Sequence, residues 1–181
     1  MADLAVCLAD IVPNLASIPF ERLVLNSRQV SNNDVFVALA GGAYDGHDFI
    51  QEALDNGAVA VLVEHECAFE RTIVVPRLRY YLGFIASRLY GNPSADMDIV
   101  GVTGTNGKSS VTQYIAQSLH NSGRQCGVIG TLGYGFLPSL SPNPHTTPDA
   151  VSLQSILAEL RDQRADSVAM EVSSHGLHQE R

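Results

Sequence analysis

The sequence has a single lysine. Of its eleven basic side chains ten are arginine and one is Lys108, so any chemistry that needs an ammonium has one side chain to use. Basic charge is scarce in general. Eleven basic against nineteen acidic side chains give a net charge of -8, which argues against a broad nucleic-acid or anionic-membrane surface and leaves room only for a local anion site. Cysteine is sparse too: Cys7, Cys67 and Cys126 are odd in number, widely spaced and outside any CxxC arrangement, so neither a disulfide framework nor a cysteine zinc site is indicated. Three buried thiols in a reducing compartment is the plain reading. No apolar run approaches the ~20 residues of a membrane span, and Met1 to Asp10 carries acidic residues where a signal peptide would be basic. What is present is a folding composition, 45% apolar and 17% charged over 181 residues, enough for one large domain or two small ones in the cytoplasm.

The first half reads as short strands alternating with helices. Arg22 to Leu25 and Asp34 to Leu39 are β-rich, Gly41 to Gly46 has the glycines and Asp of a tight turn, and Phe49, Ile50, Ala53 and Leu54 recur at helical spacing until Asn56-Gly57. Strands Ala58 to Val63 and Thr72 to Val75 follow, and Pro76 is placed to open a helix over Arg77 to Tyr90. Gly91-Asn92-Pro93-Ser94 breaks that helix, which sets a domain boundary: residues 1–93 form one domain and 94–181 begin a second. Beyond it come a strand (Asp98 to Val102), a glycine-rich loop, a helix with Val111, Tyr114, Ile115 and Leu119 on one face, and a strand (Cys126 to Thr131). Gly133 to Thr147, with three prolines and two glycines, reads as one long loop. Thr147-Pro148 then has the form of an N-cap and first helical position, for a helix buried through Leu153, Ile156, Leu157 and Leu160 and ending near Arg164. Ser167 to Val172 is a final apolar strand with a carboxylate in it. The alternation implies an α/β fold with a parallel sheet and right-handed crossovers.

A strand, then Gly104-Thr105-Asn106-Gly107-Lys108-Ser109-Ser110, then a helix is the arrangement of a phosphate-binding loop. Glycines let backbone N–H groups converge on the anion, and the helix N-terminus adds partial positive charge. Lys108 reaches the terminal phosphates, and the Ser109 hydroxyl is placed for Mg²⁺. The strict pattern would place a glycine six residues before Lys108; Val102 stands there, with glycines at 101 and 104 instead. Glu171 lies near the end of an apolar strand, where open parallel sheets present ligand groups, and it could hold Mg²⁺ or pair with an arginine. Ser173, Ser174 and His175 sit at the same edge, where they could bind a ligand or cap the next element. His145, His175 and His178 make a weak case for zinc, and neither serine lies in a G-x-S-x-G elbow. In the first half, Asn26-Ser27-Arg28 could bind a polar ligand or turn the chain, and Gly41-Gly42 offers amides suited to a diphosphate or a tight turn.

Four stretches together resemble the N-terminal part of the Mur ligase family: NSR with DVFVALAGGAYDGHDFI, VGVTGTNGKSS, HTTPD and MEVSSHGLHQER. They span the chain in the family's order. HTTPD and EVSSHGL favour the branch that adds the third residue of the peptidoglycan stem peptide over the branch that adds D-Ala-D-Ala. The resemblance implies a small N-terminal α/β UDP-binding domain followed by the start of a P-loop parallel-sheet ATP-binding domain. It implies that Leu25, Ser27, Gly42, Ala43 and Tyr44 hold the UDP part of a nucleotide-sugar, and that Gly104 to Ser110 holds ATP. It further places His145, Thr146, Thr147, Ser173, Gln179 and Arg181 on the muramoyl-dipeptide, and Ser109 and Glu171 on Mg²⁺. Asn26 stands where the family usually has Asp, His145 where it often has Asn, and Ser109-Ser110 where it has Thr-Thr.

The implied activity is an amide-bond-forming ligation, in which ATP activates the carboxylate of UDP-MurNAc-L-Ala-D-Glu as an acyl phosphate and a diamino acid displaces phosphate. Lys108 is then the catalytic cation. Meso-diaminopimelate is expected over L-lysine because the resemblance is greatest to Gram-negative members. The same resemblance implies a monomer and a truncated chain, lacking the rest of the ATP-binding domain and the C-terminal amino-acid-binding domain, and therefore inactive alone. The alternatives are an L-lysine-adding or D-Ala-D-Ala-adding homologue, a non-catalytic UDP-sugar-binding module, and a generic P-loop NTPase.

Overall fold

The computed structural model describes residues 1–41, 45–143 and 145–180, and the chain divides into two compact units, Met1–Leu89 and Tyr90–Arg181. Gly42, Ala43, Tyr44 and Arg181, four of the expected ligand contacts, lie outside the described residues.

In the first unit β1 (Ala2–Asp3), α1 (Leu4–Cys7) and β2 (Pro19–Phe20) form a small antiparallel start. Then come β3 (Leu23–Val24), β4 (Val35–Val37), α2 (Ile50–Asp55), β5 (Ala60–Val63), β6 (Thr72–Val74) and α3 (Leu78–Leu89). The four strands β3-β4-β5-β6 make a parallel sheet in sequence order. Every residue of β4 and β5 is buried, as expected of parallel strands covered on both faces, and Phe36, Val61, Val63, Ile50 and Ala53 form one cluster. Pro76 does not open α3. Arg77 is left-handed at φ +58°, which turns the chain after β6, and its guanidinium lies 4.2 Å from the Tyr80 ring centre while the helix starts at Leu78. Asp34 sits buried beneath Arg22. Burial pushes its carboxyl up, but hydrogen bonds from Arg22 and Ser31 outweigh this and hold it below the usual carboxylate range.

The second unit contains β7 (Asp98–Val102), α4 (Lys108–Asn121), β8 (Cys126–Gly130), β9 (Gly133–Phe136), β10 (Ser139–Ser141), α5 (Ala150–Asp162), β11 (Ser167–Glu171) and α6 (Ser174–His178). Its sheet runs β10-β9-β8-β11-β7. The last strand enters between the first two and pairs parallel with both, Glu171 lying opposite Val102. The segment expected to be one long loop instead holds the antiparallel hairpin β9–β10, which extends the sheet beyond β8. Local chemistry argued against strands there, but pairing with β8 supplies the hydrogen bonds that make them.

Helix α5 differs at its start and ends close to the expected place. Its N-cap is Asp149, whose carboxylate accepts from the amides of Val151 and Ser152 at 3.0 and 2.9 Å, and not Thr147. It stops at Asp162 because Arg164 adopts φ +68°. The buried stripe is as expected, with Leu157 and Leu160 packed on Ile129, Val168 and Met170. At the amino ends of the parallel strands Arg124 binds Asp98 at 2.7 Å and Asp166 at 3.2 Å. The Asp166 carboxyl is held low by the Gln125 amide first, and by Ser167 and Arg124, against a smaller upward push from desolvation. Among the described residues no helix is long and apolar enough to cross a membrane.

Candidate functional site

The carboxyl ends of β7 and β11 frame a polar cavity of about 300 Å³. Thr105 to Ser110 line one side of it, and Thr131, Thr146, Glu171 and Ser173 complete it. The loop's shape follows from its glycines. Gly104 has φ +144° and Gly107 φ +80°, the latter as the left-handed N-cap of α4, conformations that a side chain would strain. The N-cap Gly107 makes no side-chain hydrogen bond to α4, which suits the helix's first N–H groups to an anion. The Lys108 ammonium donates to the Gly104 carbonyl at 2.9 Å, across the loop that it would serve.

Glu171 ends β11 and is only 3% exposed. The Thr131 amide donates to its Oε1 at 2.9 Å, and the Thr131 hydroxyl to its Oε2 at 3.2 Å. Among the described residues no arginine, lysine or histidine forms an ion pair with it. A buried carboxylate held by neutral donors beside a glycine-rich loop has surroundings suited to a cation ligand. The carboxylate also packs against β8: a Cβ on Gly130 would lie 2.2 Å from Oε1, so a side chain there would force the group away.

The structure brings the phosphate loop, Glu171, Thr146 and Ser173 to one cavity. It treats the other sequence-predicted residues differently. Thr147 is buried, and its hydroxyl donates to the Glu171 carbonyl at 3.0 Å and accepts from the Ser173 amide at 3.0 Å, tying the loop before α5 to the end of β11. Ser173 caps α6 by accepting from the Gly176 amide at 3.0 Å. Gln179 lies against His175, with Nε2 atoms 2.8 Å apart, and His145 is exposed; neither lines the cavity. Among the described residues no three of His, Cys, Asp and Glu cluster as a metal site. Thr131 is the residue that sequence reasoning missed. Its signal was its place, one residue beyond a parallel strand's carboxyl end.

In the first unit Asn26 accepts from the Arg28 amide at 3.1 Å, so it retains the turn-forming acceptor of the more usual Asp. Ser27 is buried and its hydroxyl donates to Glu52 of α2, while Asn56 donates to the Ser27 carbonyl at 3.0 Å. Leu25 is half-buried beside this turn. Asp45 caps the 3₁₀ turn Gly46–Phe49 by accepting from the His47 amide at 3.0 Å. That bond is the foremost cause holding its carboxyl below the usual range.

Comparison with known proteins matches "Mur ligase family, catalytic domain" over residues 20–90 and "Mur ligase middle domain" over residues 102–181. The chain is 47% identical over 172 residues to the UDP-N-acetylmuramoyl-L-alanyl-D-glutamate--2,6-diaminopimelate ligase of Coxiella burnetii, a match covering 92% of this chain and 35% of that protein. It is 50% identical over 177 residues to the ligase of the same name from Alkalilimnicola ehrlichii, covering 90% of this chain and 36% of that one. A solved structure of a ligase of this name superposes with a TM-score of 0.87 at 33% identity, over 99% of this chain and 37% of the other. The MurF ligase from Thermotoga maritima in complex with ADP gives a TM-score of 0.55 at 27% identity, over 88% and 34%. The chain thus spans about a third of the length of the relatives it matches, 35% in the first case.

Proposed function

The chain belongs to the Mur ligase family, and from that premise we propose that the protein joins 2,6-diaminopimelate to UDP-MurNAc-L-Ala-D-Glu at the expense of ATP. On this reading the first unit holds the UDP-sugar through the Leu25–Ser27 turn and the Gly42–Tyr44 segment. The second unit holds the nucleotide's phosphates. The observation that supports this most is the cavity in which the only lysine's loop meets a buried carboxylate with no cationic partner among the described residues.

The residues present fit a divalent cation of the magnesium type, because Glu171, Ser109, Thr131 and Thr146 all bring oxygen donors to the cavity. Ser109 and Glu171 would hold Mg²⁺, which when bound supplies charge neutralisation to the phosphates and polarises the transferring phosphoryl group. The chain's own groups do the rest. Backbone N–H groups of Gly104 to Ser110 hold the phosphates, and Lys108 exchanges the Gly104 carbonyl for the terminal phosphate and stabilises its charge in flight. The dipeptide's terminal carboxylate oxygen bonds to the γ-phosphorus as the bond to the ADP oxygen breaks. On this reading Thr146 and Ser173 hold that substrate, with Arg181, Gln179 and His145 as further contacts. The amine of the diamino acid then adds to the acyl phosphate carbonyl, loses a proton and expels inorganic phosphate. Orientation of the reacting groups carries much of each step.

Incubating the full-length protein with ATP, UDP-MurNAc-L-Ala-D-Glu and either meso-diaminopimelate or L-lysine tests the proposal. Tripeptide product and equimolar phosphate are expected with diaminopimelate and only traces with lysine. UDP-sugar binding without any product would overturn it in favour of a binding module.

A further inference from the structure

Thr131 supports Glu171 through two separate groups. Its amide reaches Oε1 and its hydroxyl reaches Oε2, so the carboxylate is gripped at both oxygens by one residue. The direction of the hydroxyl's proton is set by chemistry. The Thr131 hydroxyl donates its one proton to Glu171 Oε2. The Thr146 hydroxyl, 3.0 Å from Thr131 Oγ1, must then be the donor in their contact. A directed chain runs from Thr146 through Thr131 to Glu171, and all three residues line the same cavity. It joins the strand end of β8 to that of β11 and to the loop before α5.

From this we infer that Thr131 is a positioning residue for the proposed reaction: its hydroxyl, backed by Thr146, fixes the Glu171 carboxylate in the orientation that a nucleotide-bound divalent cation meets. The inference rests on the reading of Glu171 as the metal carboxylate. Thr131 itself need not touch the substrate. Its role is to hold a buried carboxylate so that orientation is in place before the cation arrives.

Thr131→Val keeps the amide and the shape but removes the hydroxyl, and Thr131→Ser restores the hydroxyl. Calorimetric titration of the full-length protein with ADP, with and without Mg²⁺, measures the gain in affinity that the metal confers without turnover. Thr131→Val is expected to lose about tenfold of that gain, and Thr131→Ser to stay within about twofold of wild type. The inference fails if the valine variant keeps the full gain while Glu171→Gln loses it, or if serine is as impaired as valine. If Glu171→Gln also keeps the gain, the assignment of Glu171 to the metal falls, and this inference with it. Should Thr131→Val not fold, Thr146→Val gives the second reading: a loss of about threefold is expected, and an unchanged gain overturns the directed chain.

Discussion

The parallel strands of the second unit carry carboxylates at both ends, and the two ends treat them differently. At the amino ends Asp98 and Asp166 share Arg124, in partly exposed positions where water screens the charges. At the carboxyl ends Glu171 is buried deeper than either and has no cationic partner among the described residues. One edge sets its carboxylates against a guanidinium of the same unit. The other sets a buried carboxylate beside the Gly104–Ser110 loop, an arrangement that on the proposed reading a cation between carboxylate and phosphate would favour. Within one sheet, the edge whose carboxylates meet a guanidinium is read as the structural end, and the edge where Glu171 meets neutral donors as the proposed functional end.

That contrast can be broken most sharply at Glu171. Glu171→Gln is expected to lower the ligation rate of the full-length protein by ~100-fold or more, measured as phosphate release, while leaving the melting temperature unchanged or raised. A melting temperature several degrees lower would make Glu171 a structural residue like Asp166 and erase the distinction. Gly130→Ala attacks the same carboxylate from β8. With a Cβ 2.2 Å from Oε1, Mg²⁺-dependent ADP affinity should fall about tenfold and the fold should weaken as well, by calorimetry and thermal melts. At the opposite edge Arg124→Ala should lower the melting temperature by at most about 3 °C and leave ADP affinity within about twofold.

The smallest effect is a pH dependence. Asp166 has a folded-state pKa below its unfolded value, so its contribution to stability is present above the unfolded pKa and declines as pH falls through the folded one. Asp34 in the first unit has the same sign. Melting temperatures of wild type and Asp166→Asn should therefore differ most near neutrality and converge as pH falls through the lowered folded-state pKa. A difference that widens on acidification would reverse the sign assigned to Asp166.

Much of the functional end was legible before any coordinates, and the reasons are local. Strand β7 has the expected bounds, Asp98 to Val102, because a β-branched run leads directly into a loop that only glycines can shape. Lys108 stood out because its residue type occurs once. What could not be read depends on pairing across the chain. Strands β9 and β10 form because β8 offers an edge, whereas their own glycines and proline argue for a loop. Thr147 and Asp149 are both good helix caps; Asp149 takes the role because the Thr147 hydroxyl is held by the end of β11, 24 residues away. The Ser27–Glu52 contact and the Thr131 grip on Glu171 likewise join residues 25 and 40 apart, beyond any periodicity.

The hydrogen bond from Lys108 to the Gly104 carbonyl bears on the thermodynamics of ligand capture. A free lysine side chain has about 2 kcal/mol of rotamer freedom, and immobilising it at the moment of binding would subtract from affinity. Here the ammonium is already parked on the loop it belongs to, so much of that ordering belongs to folding rather than to binding. On the proposed reading, an arriving phosphate meets a cation that exchanges one oxygen acceptor for a more strongly charged one. Its gain is the difference between two hydrogen bonds, with little conformational entropy left to lose.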